Sequence, residues 1–224
     1  MSSNNTPKTF FGDNFKFDES TKELAIPAKE MTPSTPQFDF MYSNIFSTEP
    51  SNEPVDLEFY HLFSAVSFGV INDGSSNVTI TSYSVTLNNK GKASINFNNT
   101  SSTSPVVTYT KTSQNPSIFR QLNNSITLSG LTNKPNVFNT TDNEKAYMLI
   151  WPHTEAELSK CKISVSYKIG STNYDTTKEI SFPVNELDPG KRYHFDISFI
   201  DKQTVQINYL VVDWNKIENE YTFQ

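Results

Sequence analysis

The sequence predicts an all-β protein of the antiparallel β-sandwich type, and three observations lead there. In Cys161–Ile169 every odd position is apolar or aromatic and every even one polar, the period-2 signature of a strand with one buried and one wet face. Tyr193, Phe195, Ile197 and Phe199 repeat the pattern, as do Val205, Ile207, Tyr209 and Val211. Asp188-Pro189-Gly190 supplies a turn before the second of these strands, because Pro presets φ and Gly accepts φ > 0. No long amphipathic helix and no solenoid repeat interrupts this reading.

Taken in order, residues 1–54 are weakly patterned. Short edge strands are expected around Lys8–Phe17 and Gln37–Tyr42. The Pro-rich remainder is expected to follow the surface in extended form, since Pro is tolerated at edges and not in central strands. In Val55–Ile71 two alternating phases meet across Tyr60–Ser64, which demands a bulge or a break. Asn72-Asp73-Gly74 turns the chain. Val78–Leu87 forms the next strand, with a second slip near Ser82. Asn88-Asn89-Lys90-Gly91 reads as a hairpin turn leading into Ala93, Ile95 and Phe97. Val106–Tyr109 and Ser125–Leu131 read as short strands, and Pro116–Leu122 as a helical turn or another edge. Lys111–Pro116 is the expected domain junction, and Thr132–Lys145 a polar loop. Thr154 with Glu157 three residues on suggests a capped helical turn. Glu220–Phe223 is a candidate last strand.

Composition bounds the function. The chain has 224 residues, enough for one large or two small β domains. It carries 17 Phe and 10 Tyr, which suit thin sandwich cores where each ring buries a large area. Net charge is −6, and the only arginines are Arg120 and Arg192, so nucleic acid is a poor partner. Cys161, alone and on an inward phase, reads as a small buried hydrophobe and cannot staple a secreted domain. No apolar run is long enough to span a bilayer. Met1–Thr6 lacks the apolar centre of a signal peptide, so the chain is either cytoplasmic or a mature form whose leader has been removed.

Chemistry is not visible. His61, His153 and His194 fit no metal spacing and read as structural. Neither a Gly-x-Ser-x-Gly elbow nor a phosphate-cradling Gly-rich loop occurs. Glu155/Glu157 and Glu218/Glu220 look like solvated faces, and Asn77-Val-Thr and Asn139-Thr-Thr are expected by chance in an Asn- and Thr-rich chain. Trp151 and Trp214 end β runs. They are read first as rim-of-core anchors with a bonded indole N–H, and second as a sugar-stacking platform. No catalytic, cofactor-binding or metal residue is assigned, no cofactor is expected, and the chain is read as not an enzyme.

Val55–Phe68, Tyr147–Pro152, Cys161–Tyr167, Leu187–Phe195 and Val211–Trp214 together resemble the fimbrillin family of Bacteroides-type bacteria. The order of these blocks carries the resemblance: an apolar strand around Phe59-Tyr60-His61, an apolar strand ending in Pro152, a Pro189-Gly190-Lys191 turn and strand, and a terminal Trp214. His153 stands where Gln is common in the family, and Leu187 where Trp often precedes the turn. The resemblance implies two tandem transthyretin-like sandwich domains, placed at residues 1–112 and 113–224. It also implies a fimbrial subunit, or a minor, tip or anchor component, that assembles with other pilin subunits by β-strand addition. An extracellular, cell-surface location follows, with attachment to the outer membrane through a leader and lipid anchor absent from this chain. Glycans or proteins of host or bacterial surfaces are the further partners considered, and a non-catalytic glycan-binding module using Trp151, Trp214 or loop tyrosines is the alternative. In stalk subunits of the family an Arg-directed protease removes an N-terminal strand; here no Arg precedes Arg120.

Overall fold

The computed structural model describes residues 6–32, 38–43, 58–98, 105–112, 116–121, 125–135, 147–170, 172–200 and 204–214. The chain opens with a helical turn, α1 (Pro7–Phe11), where an edge strand was expected. Thr6 caps it, with its Oγ1 accepting from Thr9 N at 3.2 Å, and Pro7 stands at the first helical position, where a missing N–H costs nothing. β1 (Lys16–Asp18) follows and pairs with β2 (Glu23–Glu30). β2 corrects the expectation of a Pro-rich surface coil. It is a full strand with Ile26 buried, and Pro27 falls in the register shift between Ile26 and Lys29, where a strand tolerates a residue without an N–H.

β3 (Met41–Ser43) and β4 (Phe59–His61) form a two-stranded ribbon. The phase slip expected over Tyr60–Ser64 is a break: β4 ends at His61, Leu62 and Phe63 are fully buried, and β5 (Ser64–Asn72) starts afresh. Val55 and Leu57 lie outside the described residues, and Phe59, expected on an inward phase, is half-exposed. β6 (Val78–Leu87) carries the second slip as a bulge, since Ser166 pairs Ser82 while Tyr167 pairs Ile80. β7 (Lys90–Asn96) and β8 (Val106–Lys111) come next. The short edge at Pro116–Leu122 is a strand, β9 (Ser117–Gln121). β10 (Ile126–Leu128), β11 (Thr132–Pro135) and β12 (Met148–Ile150) follow. Thr154 N donates to the Glu157 carboxylate at 2.9 Å at the start of α2 (Glu155–Leu158), the expected reciprocal cap. β13 (Lys162–Ile169), β14 (Thr172–Ile180), β15 (Lys191–Phe199) and β16 (Val205–Asp213) complete the set. The candidate strand at Glu220–Phe223 lies outside the described residues, as do residues 113–115 of the expected junction and 136–145 of the expected polar loop; the start of that loop is instead strand β11, paired with β5.

The strands form three stacked layers. One sheet runs β10-β6-β13-β14, with β9 also on β6; the next runs β11-β5-β15-β16, with β12 also on β5; the third runs β1-β2-β7-β8. The larger core lies between the first two sheets and buries Val66, Phe68, Tyr83, Val85, Val165, Tyr167, Phe195 and Phe199. The smaller core lies between the third sheet and the opposite side of β5 and β12, and buries Ile26, Met31, Phe63, Ala65, Ala93, Ile95, Leu149 and Trp151. From β12 into the residue after it the alternation is literal: Leu149 and Trp151 enter the smaller core and Ile150 the larger.

The pairing differs from the sequence reading in three respects. β5 and β15 are parallel, a pairing that alternation alone does not reveal. Asn88-Asn89 is not a hairpin turn, because β6 and β7 belong to different sheets; it is a buried corner. Asn89 exchanges hydrogen bonds with Met31 through its backbone carbonyl and its side-chain amide, and its Oδ1 accepts from Trp151 N at 3.3 Å. Third, β5 and β6 precede residue 112 but pair with β15 and β13, which follow it. A cut between residues 112 and 113 therefore passes through both sheets of the larger sandwich.

Candidate functional site

The β3–β4 ribbon stands beside the corner where the Pro189-Gly190 turn meets the end of β16. A cleft of ≈ 250 Å³ opens between them. Cross-strand pairing places Tyr42 opposite Tyr60, and their rings stack at 5.5 Å and 28°. His61 is buried and held by the Asp39 carboxylate, Nδ1 donating to Oδ2 at 2.9 Å. Its ring lies flat under Trp214, with centroids 4.3 Å apart and planes 11° apart. Trp214 is fixed from the other side of the corner, where its backbone N–H donates to Gly190 O at 2.9 Å; Gly190 has φ +73°, the left-handed conformation the turn needs. Phe59, 48% exposed, and Asp213 also line the cleft. Tyr60 Oη donates to Glu58 Oε2 at 2.6 Å.

The two tryptophans part company. Trp151 is 1% exposed; its Nε1–H donates to Lys29 O at 2.8 Å, and its ring meets the edge of Phe63 at 4.9 Å and 74°. Its bonded indole N–H is that of the first reading, though the ring sits inside the core rather than at its rim, and its burial removes it from the sugar platform of the second. Trp214 is half-buried and belongs to the cleft. The cleft's other members, Tyr42, Tyr60 and Asp213, were not singled out by sequence. Their signal was the local pattern Phe59-Tyr60-His61 and the Asp213-Trp214 pair, whose convergence is a tertiary event.

The remaining histidines are both buried. His194, expected on a wet phase, is 3% exposed. Its Nδ1 accepts from Ser67 Oγ at 2.6 Å and its Nε2–H donates to Asp196 Oδ1 at 3.0 Å. Ser67 and Asp196 are themselves buried, and neighbouring Ser198 donates to Asp73. Ser, His and Asp thus meet in a chain, but both hydrogen bonds of the imidazole are used within the fold, and the aromatic cleft is lined by other residues. The arrangement is a satisfied polar network on the side of β5 and β15 away from the larger core.

His153 forms an isolated bridge with Leu187 and lies beside Lys111. Its Nδ1–H donates to Trp151 O at 2.8 Å, and Lys111 Nζ donates to the same carbonyl at 3.3 Å. Burial, then the Lys111 charge, hold the His153 imidazole down at about 3. Burial likewise holds the Lys111 ammonium down at about 8, opposed by Glu157 and Cys161. Cys161 is fully buried, as expected, and burial raises its thiol pKa, so it is a poor nucleophile. Among the described residues no group of three or more His, Cys, Asp or Glu side chains is placed to hold a metal ion.

The sequence profile of the fimbrillin-like family matches residues 4–214. No curated protein matches the sequence. Among solved structures, a candidate cell adhesion protein from Bacteroides uniformis aligns over 88% of this chain and 68% of its own, at 15% identity and a TM-score of 0.49. A fimbrial protein from Bacteroides vulgatus aligns over 71% of this chain and 56% of its own, at 17% identity and a TM-score of 0.44. A candidate cell adhesion protein from Bacteroides ovatus aligns over 88% and 68%, at 15% identity and a TM-score of 0.38. With the family profile spanning residues 4–214 of 224, the chain belongs to the fimbrillin-like family.

Proposed function

We propose that this protein is a non-catalytic pilus component of the bacterial cell surface that joins other subunits by β-strand addition and serves adhesion. Family membership supports the coarse role. The observation that carries the assembly mode is the outer edge of β16. Among the described residues β16 pairs only with β15, leaving a nine-residue edge. Val205, Ile207 and Val211 are only partly buried against the larger core, and Tyr209 is 51% exposed. A strand added along this edge would meet the backbone groups of β16 and cover those alternate side chains. Burying one such side chain fully contributes roughly 1.5–3 kcal/mol.

The N-terminal segment supports the same reading from the other side of the molecule. Phe11, Ile26, Met31 and Phe40 close the smaller core over Ala93, Ile95, Leu149 and Trp151. Removing that segment would open an apolar groove that another subunit's strand could fill. A tip or anchor position and a lipid-attached precursor belong to this proposal too. No helix among the described residues is long and apolar enough to cross a membrane.

The test is limited trypsin digestion followed by size-exclusion chromatography and negative-stain microscopy, on wild type and Tyr209→Lys. A lysine on the exposed edge opposes strand addition and leaves the core untouched. Filaments or ladders from trimmed wild type, absent in Tyr209→Lys, are expected. A trimmed wild type that stays monomeric, or a variant that assembles equally well, refutes strand addition at this edge.

A further inference from the structure

We infer that the cleft between the β3–β4 ribbon and the Gly190–Trp214 corner binds one uncharged pyranose ring of a surface glycan. The site adjoins the C-terminal end of β16, whose last residue, Asp213, lines it, and it is tested by sugar binding rather than by assembly. Its geometry is that of a sugar subsite. Flat rings, those of Tyr42, Tyr60 and Trp214, are already ordered by stacking, so little freedom is lost when a ligand arrives. Phe59, on the opposite side of the ribbon from Tyr60, also lines the cleft and is half-exposed. Such faces suit the C–H side of a pyranose, and Asp213, as a lining acid, supplies an acceptor of the kind that suits its paired hydroxyls. The volume, ≈ 250 Å³, is enough for one ring, and the open side leaves the rest of a glycan in solvent.

Charge narrows the class. The lining contains an acid, Asp213, and no Lys or Arg; Asp39 stands behind His61, and Glu58 bonds Tyr60. The nearby Lys191 ammonium is held by Asp188 at 2.8 Å and also feels the charges of Asp213 and Glu186. Sialic acids, uronic acids and sulfated sugars would meet these acids with no cation among the lining residues themselves. Neutral hexoses and N-acetylhexosamines would not.

The molecule carries its own reporter. It has two tryptophans, and Trp151 is sealed in the core while Trp214 lines the cleft, so a ligand-induced change in fluorescence reports the cleft. The experiment titrates the full chain with the methyl glycosides of mannose, galactose and glucose, with N-acetylglucosamine, and with N-acetylneuraminic acid as the charged control. The same series is run on Phe59→Ala, with circular dichroism and urea midpoints to verify its fold. A saturable change with at least one neutral sugar is expected, with a Kd on the order of 1 mM, as befits one small subsite. Phe59→Ala should weaken it about tenfold without moving the urea midpoint, and the anionic sugar should give no saturation. Tyr60→Ala is the second variant should Phe59→Ala disturb the ribbon. No saturable response to any neutral sugar, a response indifferent to both variants, or equal binding of the anionic sugar overturns the inference. Binding of a peptide in place of every sugar overturns it too. None of these results bears on the assembly proposal.

Discussion

Gly91 on β7 lies against the face of Trp151, and the packing there is close enough to test quantitatively. A Cβ at position 91 would sit 2.9 Å from both Cγ and Cδ2 of the indole and 3.3 Å from Cδ1. Carbon atoms prefer about 3.5–4.0 Å, so the overlap is roughly 0.6–1 Å against a rigid ring. The ring has no easy retreat, since Phe63 packs against it at 4.9 Å in a T-shaped arrangement and Lys29 O holds its N–H. Gly91→Ala should therefore carry an overpacking cost of about 1–3 kcal/mol. The lower chain entropy of the unfolded alanine variant offsets ~0.4–1 kcal/mol of that. A net loss of about 1–2 kcal/mol is expected, measured as the shift in urea midpoint at constant m-value by far-UV circular dichroism. Trp151→Ala alone should cost about 3–5 kcal/mol. In the Trp151→Ala background Gly91→Ala should become neutral or slightly stabilising, giving a coupling energy of ~1–3 kcal/mol. If Trp151→Ala is too unstable for a full baseline, an excluded osmolyte common to all four proteins restores one. Gly91→Ala stabilising the wild type, or costing the same in both backgrounds, would refute the stacked arrangement of β7 on Trp151.

Other outcomes follow from the same structure. Lys111 has a folded pKa of about 8 against 10.5; below pH 8 it is charged in both states and its burial penalty is fully present. Between pH 8 and 10.5 the unfolded chain binds more protons, so stability should rise with pH, by roughly 1–3 kcal/mol, and Lys111→Met should abolish the rise in urea midpoints taken from pH 7.5 to 9.5. His153, held at about 3, should weaken the fold as pH falls from 6.5 toward 3, and His153→Gln should flatten that limb. A Cβ at Gly69 would lie 2.1 Å from Asp196 Oδ1, so Gly69→Ala should displace the carboxylate from His194 and lower the melting temperature more than Gly91→Ala does. Deletion of residues 186–214 removes β15 from the centre of its sheet and should leave no soluble protein, whereas deletion of residues 1–32 should leave a soluble but self-associating one, which chromatography of the two truncations distinguishes.

What was legible beforehand depended on whether the determinant is local. The alternation of β13, β15 and β16, the break before Ser64, the bulge near Ser82, the Asp188–Gly190 turn and the Thr154–Glu157 cap are written within a few residues of one another. Their physical causes, side-chain period and φ preference, act over the same range. β2 escaped notice because Pro27 argues against a strand unless a bulge receives it, and the bulge is made by pairing with β7. His194 and Asp196 stand on the polar phase of β15 and are nonetheless buried, because alternation distinguishes one face of a strand from the other but cannot tell whether the second face is also covered.

The sequence by itself determined the all-β class, most strand positions, the buried character of Cys161 and the membership of the fimbrillin-like family. These rest on local periodicity and on motif order along the chain. Only the tertiary structure decided that β5 and β15 run parallel, that β6 and β7 part into different sheets, and that the strands on either side of residue 112 share sheets. It also decided that Trp151 is core while Trp214 lines a cleft with Tyr42 and Tyr60. Strand partners are chosen by the burial of whole faces across more than a hundred residues, and no short window of sequence carries that sum.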